Sequence, residues 1–203
     1  MTKITFIRPL LVGAACAALM AACSQKPDAS ASEQTNSAVS ATQDAAAGPV
    51  GQTSAAVLGA NTVGGFVTGL ATSDMYELQA AKIAATKSSN VGVKALAAMI
   101  TTDHTASSTK LKSIAPTAAP DTALPTALDQ RRQGLIDNLN GATAADFDKV
   151  FLTQQVAAHN EALTMLNGFK DNTDAPALAS LAGEIIPKVT MHRDHAKTML
   201  DAM

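Results

Sequence analysis

Four side chains able to hold a metal ion or move a proton fall at core positions of this sequence, one in each of four apolar-patterned segments: Glu77, His104, His159 and His192. They include three of the four histidines in the chain. A carboxylate placed in a core without a partner is costly, so Glu77 implies a cationic or metal-bound neighbour. Imidazole suits that role: one ring nitrogen can ligate a transition metal while the other is oriented by a hydrogen bond. Asp103, next to His104, is placed to orient an imidazole from behind. Three imidazoles and one carboxylate suit a single zinc, copper or iron ion. Without an ion, the same residues would form a hydrogen-bonded polar cluster.

The segments that carry these residues share one periodicity. Phe66, Leu70, Ser73, Glu77, Ala80 and Ala84 recur at alternating steps of four and three. Val93, Ala97, Ile100, His104, Ser107, Leu111 and Ile114 repeat the pattern, as do Leu152, Val156, His159, Leu163 and Leu166. A fourth run is Leu178, Ala182, Ile185, Val189, His192, Ala196 and Met199. Such steps mark an inward-facing seam on a helix. Ser88-Ser89-Asn90 separates the first two, with Ser89 or Asn90 as the cap of the second. Pro116, Pro120 and Pro125 predict a non-helical stretch over 113–126. Leu128, Leu135, Ile136 and Leu139 predict a short connecting helix ended by Asn140-Gly141, with Asp129, Arg131 and Arg132 on its solvated face. Thr143 and Asp146 form a capping-box pattern, and Asp174 before Ala175-Pro176 is an N-cap arrangement. Pro187 predicts a kink or a late start in the fourth helix. Gly64, Gly65 and Gly69 are read as sites of close packing.

Short links make each helix pair antiparallel, and the long middle connection leaves room for a crossover. The expected fold is all-α: an antiparallel four-helix bundle with a short helix in its middle connection. Counting from the links at about 1.5 Å per residue puts Glu77, His104 and His159 within roughly 5 Å of one level. The same count sets His192 about 10 Å deeper than His159 unless stagger or the Pro187 kink compensates.

Composition agrees and narrows the function. Aromatic residues are only 3% of the 203, with no Trp, which argues against a strand-rich fold. A formal net charge of −2 offers no basic excess for nucleic acid. Gly-rich phosphate loops, nucleophile elbows and His-Glu-x-x-His signatures do not occur. Residues 1–22 read as an export signal: Lys3 and Arg8, then an apolar stretch of about 11 residues, too short to span a bilayer. Leu19-Met20-Ala21-Ala22-Cys23 resembles the bacterial lipobox, in which the cysteine is lipidated. Cleavage there discards Cys16 and leaves Cys23 as the lipid site, so no intramolecular disulfide is expected. Ser24 after the cysteine resembles the outer-membrane sorting pattern of Gram-negative lipoproteins. Residues 23–60 are rich in Ser, Ala, Thr, Gln and Gly and are expected to be a flexible tether with a reach of roughly 35 Å. The bundle then occupies 61–203, in the cell envelope and facing the periplasm.

Residues 66–200 resemble an uncharacterised bacterial family of exported ferritin-like proteins, catalogued as a domain of unknown function. The stretches that carry the resemblance are 66–87 with central Glu77, Met99-Ile-Thr-Thr-Asp103-His104, Phe147-Asp148 through Gln155-Val156-Ala-Ala-His159, and Ile186-Pro187-Lys-Val-Thr-Met191-His192. The resemblance implies a ferritin-like four-helix fold and brings no reaction with it. Di-iron members of that fold carry Glu-x-x-His pairs. Here Thr101, Val156 and Val189 stand three residues before the histidines, which disfavours an oxygen-rich di-iron centre. His192, His195 and Met199 share one helix face and form an alternative copper-type set. The sequence alone favours a non-catalytic envelope lipoprotein with a structural or stress-related interaction role and an unidentified protein partner. The alternatives are a metal-binding or metal-storage bundle and a redox metalloenzyme.

Overall fold

The computed structural model describes Gly59 and residues 61–203. The expected signal 1–22, the lipid site Cys23 and nearly all of the expected tether lie outside the described residues. Five helices make up the rest: α1 (Val63–Lys87), α2 (Val91–Ala118), α3 (Gln130–Gly141), α4 (Phe147–Phe169) and α5 (Pro176–Asp201). No strand occurs among the described residues. The four long helices pack pairwise in a closed ring, α1 on α2, α2 on α5, α5 on α4 and α4 on α1. The short α3 lies in the middle connection, against α1 and α4.

The apolar interior is divided in two. One cluster includes Phe66, Leu70, Leu111, Leu166, Phe169 and Val189, with the Phe66 and Phe169 rings stacked 3.9 Å apart. The other includes Tyr76, Ala80, Ile100, Leu139, Leu152 and Ala196. Each long helix passes from one cluster to the other, and a seam polar residue marks the crossing. Helix α1 goes from Leu70 through Ser73 and Glu77 to Ala80, and α2 from Ile100 through His104 and Ser107 to Leu111. Helix α4 goes from Leu152 through Gln155 and His159 to Ala162; α5 goes from Val189 through His192 to Ala196. The order of clusters gives the directions. Helices α1 and α2 are antiparallel, α4 and α5 are antiparallel, and α2 and α4 run the same way, so the connection carrying α3 must traverse the length of the domain.

Local chemistry departs from the sequence expectation in five places. Helix α2 continues through Pro116 to Ala118. A proline two residues from a helix end sacrifices a single ladder bond, and the carbonyl it orphans, on exposed Lys112, faces water. Helix α5 starts at Pro176 and continues through Pro187, so Pro187 does not mark a late start; the ladder bond it cannot make would have gone to the carbonyl of exposed Gly183. At the start of α5 the cap is Ala175, and Asn172 rather than Asp174 does the work: Asn172 Oδ1 accepts from the backbone N–H groups of Asp174 and Ala175 at 3.0 Å. Helix α3 ends at Gly141 as expected, but without a left-handed cap, the one positive-φ residue described being Gly59. Instead Lys87 Nζ, from the end of α1, donates to the carbonyls of Leu139, Asn140 and Ala142 at 3.0, 2.8 and 2.9 Å. An ammonium ion there satisfies the carbonyls a helix end leaves open and opposes its negative dipole end. The fifth departure concerns Arg131 and Arg132 and is described with the site.

Asn90 caps α2 as expected, whereas α4 starts after Asp146, which makes no side-chain cap bond. Asn90 Oδ1 accepts from Gly92 and Val93, and Thr143 and Asp146 bond reciprocally ahead of α4. A Cβ on Gly69 would lie 2.8 Å from Met165 Sδ, so glycine there lets α1 and α4 approach closely.

Candidate metal centre

The polar crossings of all four long helices meet in one layer. His104, His159 and His192 are buried, and their ring centroids stand 5.8 Å (His104 to His159), 5.8 Å (His104 to His192) and 5.4 Å (His159 to His192) apart. The 10 Å offset expected for His192 is absent. His192 lies about six residues further from the α4–α5 connection than His159 does, a difference of roughly 9 Å along a helix. The 170–175 connection absorbs it by starting α5 beyond the end of α4.

Each imidazole is fixed by one ring nitrogen and leaves the other free. His104 Nδ1 donates to Asp74 Oδ1 at 2.8 Å, and His159 Nδ1 donates to the Gln155 carbonyl at 2.8 Å. His192 Nε2 donates to Asp103 Oδ2 at 3.1 Å. In a neutral ring the proton on the bonded nitrogen leaves the opposite nitrogen as a lone pair, and the three opposite atoms, His104 Nε2, His159 Nε2 and His192 Nδ1, are buried without a hydrogen-bond partner. One ring nitrogen from each residue lies within 4.8 Å of the others. A zinc-type ion with Zn–N bonds of 2.0–2.1 Å would draw such nitrogens to about 3.3 Å, a closure of side-chain scale.

Unpaired polar atoms concentrate around the same layer. Among the described residues eight buried side-chain oxygens and nitrogens have no partner, and all but Asp148 Oδ1 belong to the three histidines, Glu77, Ser107 and Gln155. Buried polar groups are normally paired, so a cluster of exceptions demands an occupant or a role.

Carboxylates surround the imidazoles. Asp74 is wholly buried and also accepts from Ser108 Oγ at 3.1 Å. Glu77 is buried with its Oε1 3.7 Å from His159 Nδ1 and its Oε2 unpaired. Glu77 therefore lies beside the ring of His159 that faces Gln155 and outside the tight group of three nitrogens. Burial pushes its carboxyl up to about 7, against the opposing pull of His104. Burial works against charge on His104 too, but the hydrogen bond it donates to Asp74 and the nearby Glu77 charge raise it above the usual histidine range. His159 is driven well below that range by burial and by His104, and His192 falls to about 4 for the same two reasons. Desolvation raises Asp103, yet its bond and ion pair with Lys188 outweigh that and hold it low. The layer thus favours one positive charge and supplies anions to balance it.

Sequence reasoning placed Asp103 behind an imidazole, and the structure makes that imidazole His192 rather than its neighbour His104. The partner of His104 is Asp74, which the seam pattern passed over because it sits one residue off the line of Ser73 and Glu77. An aspartate inside a helix, three residues before a core glutamate, was the signal available. The His192–His195–Met199 set is split: His195 is exposed, and Met199 packs against the Tyr76 cluster over Gly92.

A second charged cluster lies between α3 and α4. Arg131 and Arg132 do not form a solvated face. Both reach Glu161 on α4, Arg131 Nη2 at 2.8 and 2.7 Å and Arg132 Nη2 at 2.9 Å, and Arg132 Nη1 also holds Asp129 at 2.7 Å. Their planar forks suit a shared carboxylate, and α3 is thereby pinned to α4. A cleft of about 270 Å³ runs beside this cluster, along α1 and α4.

Fold and centre together define an all-helical domain with a buried three-histidine cluster. The chain belongs to the family described as Domain of unknown function (DUF4142), whose pattern matches residues 47–199 and so begins inside the expected 23–60 segment. No curated protein and no solved structure matches the chain.

Proposed function

We propose that this protein is a metal-binding lipoprotein of the bacterial cell envelope, a ferritin-like four-helix bundle whose His104, His159 and His192 hold one divalent transition ion. The observation that carries this reading is a group of three buried imidazoles with one ring nitrogen each within 4.8 Å of the others, every ring held by a hydrogen bond at one nitrogen and unpartnered at the other. A cation bound by the three rings would satisfy all of them and take the place of the positive charge that the layer favours on His104. Glu77, with Asp74 and Asp103, balances the charge. The parallel course of α2 and α4, joined by one long crossover, supports the ferritin-like assignment. Nitrogen-dominated ligation points to zinc, copper or iron bound singly, and Glu-x-x-His pairs are absent. Lipidation at Cys23 and a tether over 23–60 would hold the bundle near the outer membrane on the periplasmic side.

A structural polar network, the reading the sequence alone favours, would put a second proton on His104 and leave His159 Nε2 and His192 Nδ1 to share that single donor. Metal analysis of the full chain purified without an affinity tag tests the proposal. One ion per chain is expected, with loss in His104→Ala, His159→Ala and His192→Ala. Metal-free protein after supplementation with zinc, copper and iron would overturn it.

A further inference from the structure

A small recess between α2 and α5 reaches the histidine layer from the surface. Its volume is about 40 Å³, room for about three water-sized positions, and its lining includes His104, Ser107, Ile185, Val189 and His192. Two of the three histidines thus form its inner end. Ser107 is 95% buried, since its exposure is 5%, and its hydroxyl has no partner within the protein. It lies one helical turn beyond His104, on the same face of α2. Ile185 and Val189 supply an apolar wall from α5. At the rim, Lys188 pairs with Asp103 and Lys110 pairs with Glu184, so two ion pairs bridge α2 and α5 over the opening.

A closed structural metal site has no need of such a recess. Structural ions are enclosed by four protein ligands, whereas reactive ions have three and an open position. Here three imidazoles converge, Glu77 lies on α1 outside the group of three nitrogens, and the recess is on the α2–α5 side. We infer that the ion keeps a coordination position open toward the recess and that this position binds a small anion of two or three heavy atoms, held by a hydrogen bond from the Ser107 hydroxyl. The inference rests on the metal reading above and adds to it a class of ligand and a residue that recognises it. The size limit follows from the volume, the preference for an anion from the ion and the donor hydroxyl, and exclusion of bulk water from the two aliphatic side chains.

Cobalt(II) loaded into the full chain, followed by titration with azide, tests this directly. The visible bands of the bound cobalt are expected to shift and saturate with azide. Ser107→Ala should take up cobalt normally and bind azide about tenfold more weakly, the loss of one hydrogen bond to a charged ligand. Ser107→Leu, which fills the recess, should take up cobalt and show no azide response. A normal cobalt spectrum indifferent to azide would overturn the open position and leave the metal centre intact. Azide binding unchanged in both Ser107 variants would overturn the assignment of the recess. Failure of the parent chain to bind cobalt at all would contradict the metal centre and this inference with it.

Discussion

Two groups of charged residues bridge the helices of this domain, one half-buried and one buried, and they are built differently. In the Arg131–Arg132–Glu161 cluster both carboxylate oxygens of Glu161 accept from guanidinium groups, so charge is matched within the protein. In the histidine layer, hydrogen bonds lock each ring from behind, and the atoms in front stay unpaired. The first arrangement completes itself and fixes α3 against α4. The second holds its rings in place and leaves one nitrogen of each unpaired, the feature on which the proposal of a metal site rests. The apolar clusters on either side keep that incompleteness in one plane.

The largest effect should come from placing a charge where neither kind of pairing is possible. Ile100→Asp buries an unpaired carboxylate in the Tyr76 cluster and should cost more than about 4 kcal/mol by denaturant unfolding. Lys94→Asp, on the exposed face of the same helix, should stay within about 0.5 kcal/mol. Equal costs would mean that the seam is not a core. Next, Glu161→Ala should destabilise by about 3 kcal/mol, because it leaves two largely buried guanidinium groups without their shared partner. A loss near zero would remove the distinction between the two clusters.

A smaller, pH-dependent effect separates them further. In the metal-free protein the Glu77 carboxyl titrates at about 7 instead of 4.5. The native state therefore holds a proton that the unfolded chain releases, and stability from this group is present below 4.5 and lost as pH rises through 7. Glu77→Gln removes that loss. Relative to the parent, the metal-free variant should gain up to about 2 kcal/mol between pH 5 and pH 8. A constant difference across that range would refute the charge assignment. Smallest of the four, Lys87→Met should cost about 1 kcal/mol, from three carbonyls left to water at the end of α3.

Most of the helix boundaries and the seams were legible in the sequence because a four-three repeat of apolar residues has one physical meaning over twenty residues. That three histidines would share one buried layer was legible for the same reason, since His104, His159 and His192 stand on those repeats; Glu77, expected as a fourth member, lies outside the group of three nitrogens. What the repeat could not give was axial stagger, since residue counting assumes level helix ends; hence the misplaced depth of His192. It also could not see partners off the seam. Asp74 and the Arg–Glu cluster depend on which neighbouring helix a flanking side chain meets, and Lys87 reaches its carbonyls more than fifty residues away in the chain. Pro116 misled because the carbonyl it orphans, on exposed Lys112, faces water.

X-ray absorption at the zinc edge of the zinc-loaded full chain tests the central claim most directly. Three imidazole nitrogens at about 2.0–2.1 Å are expected, with the multiple-scattering pattern of histidine rings, and that pattern should weaken by one ring in His159→Ala. A shell of oxygen or sulfur without imidazole scattering, or a spectrum unchanged by His159→Ala, would contradict the account.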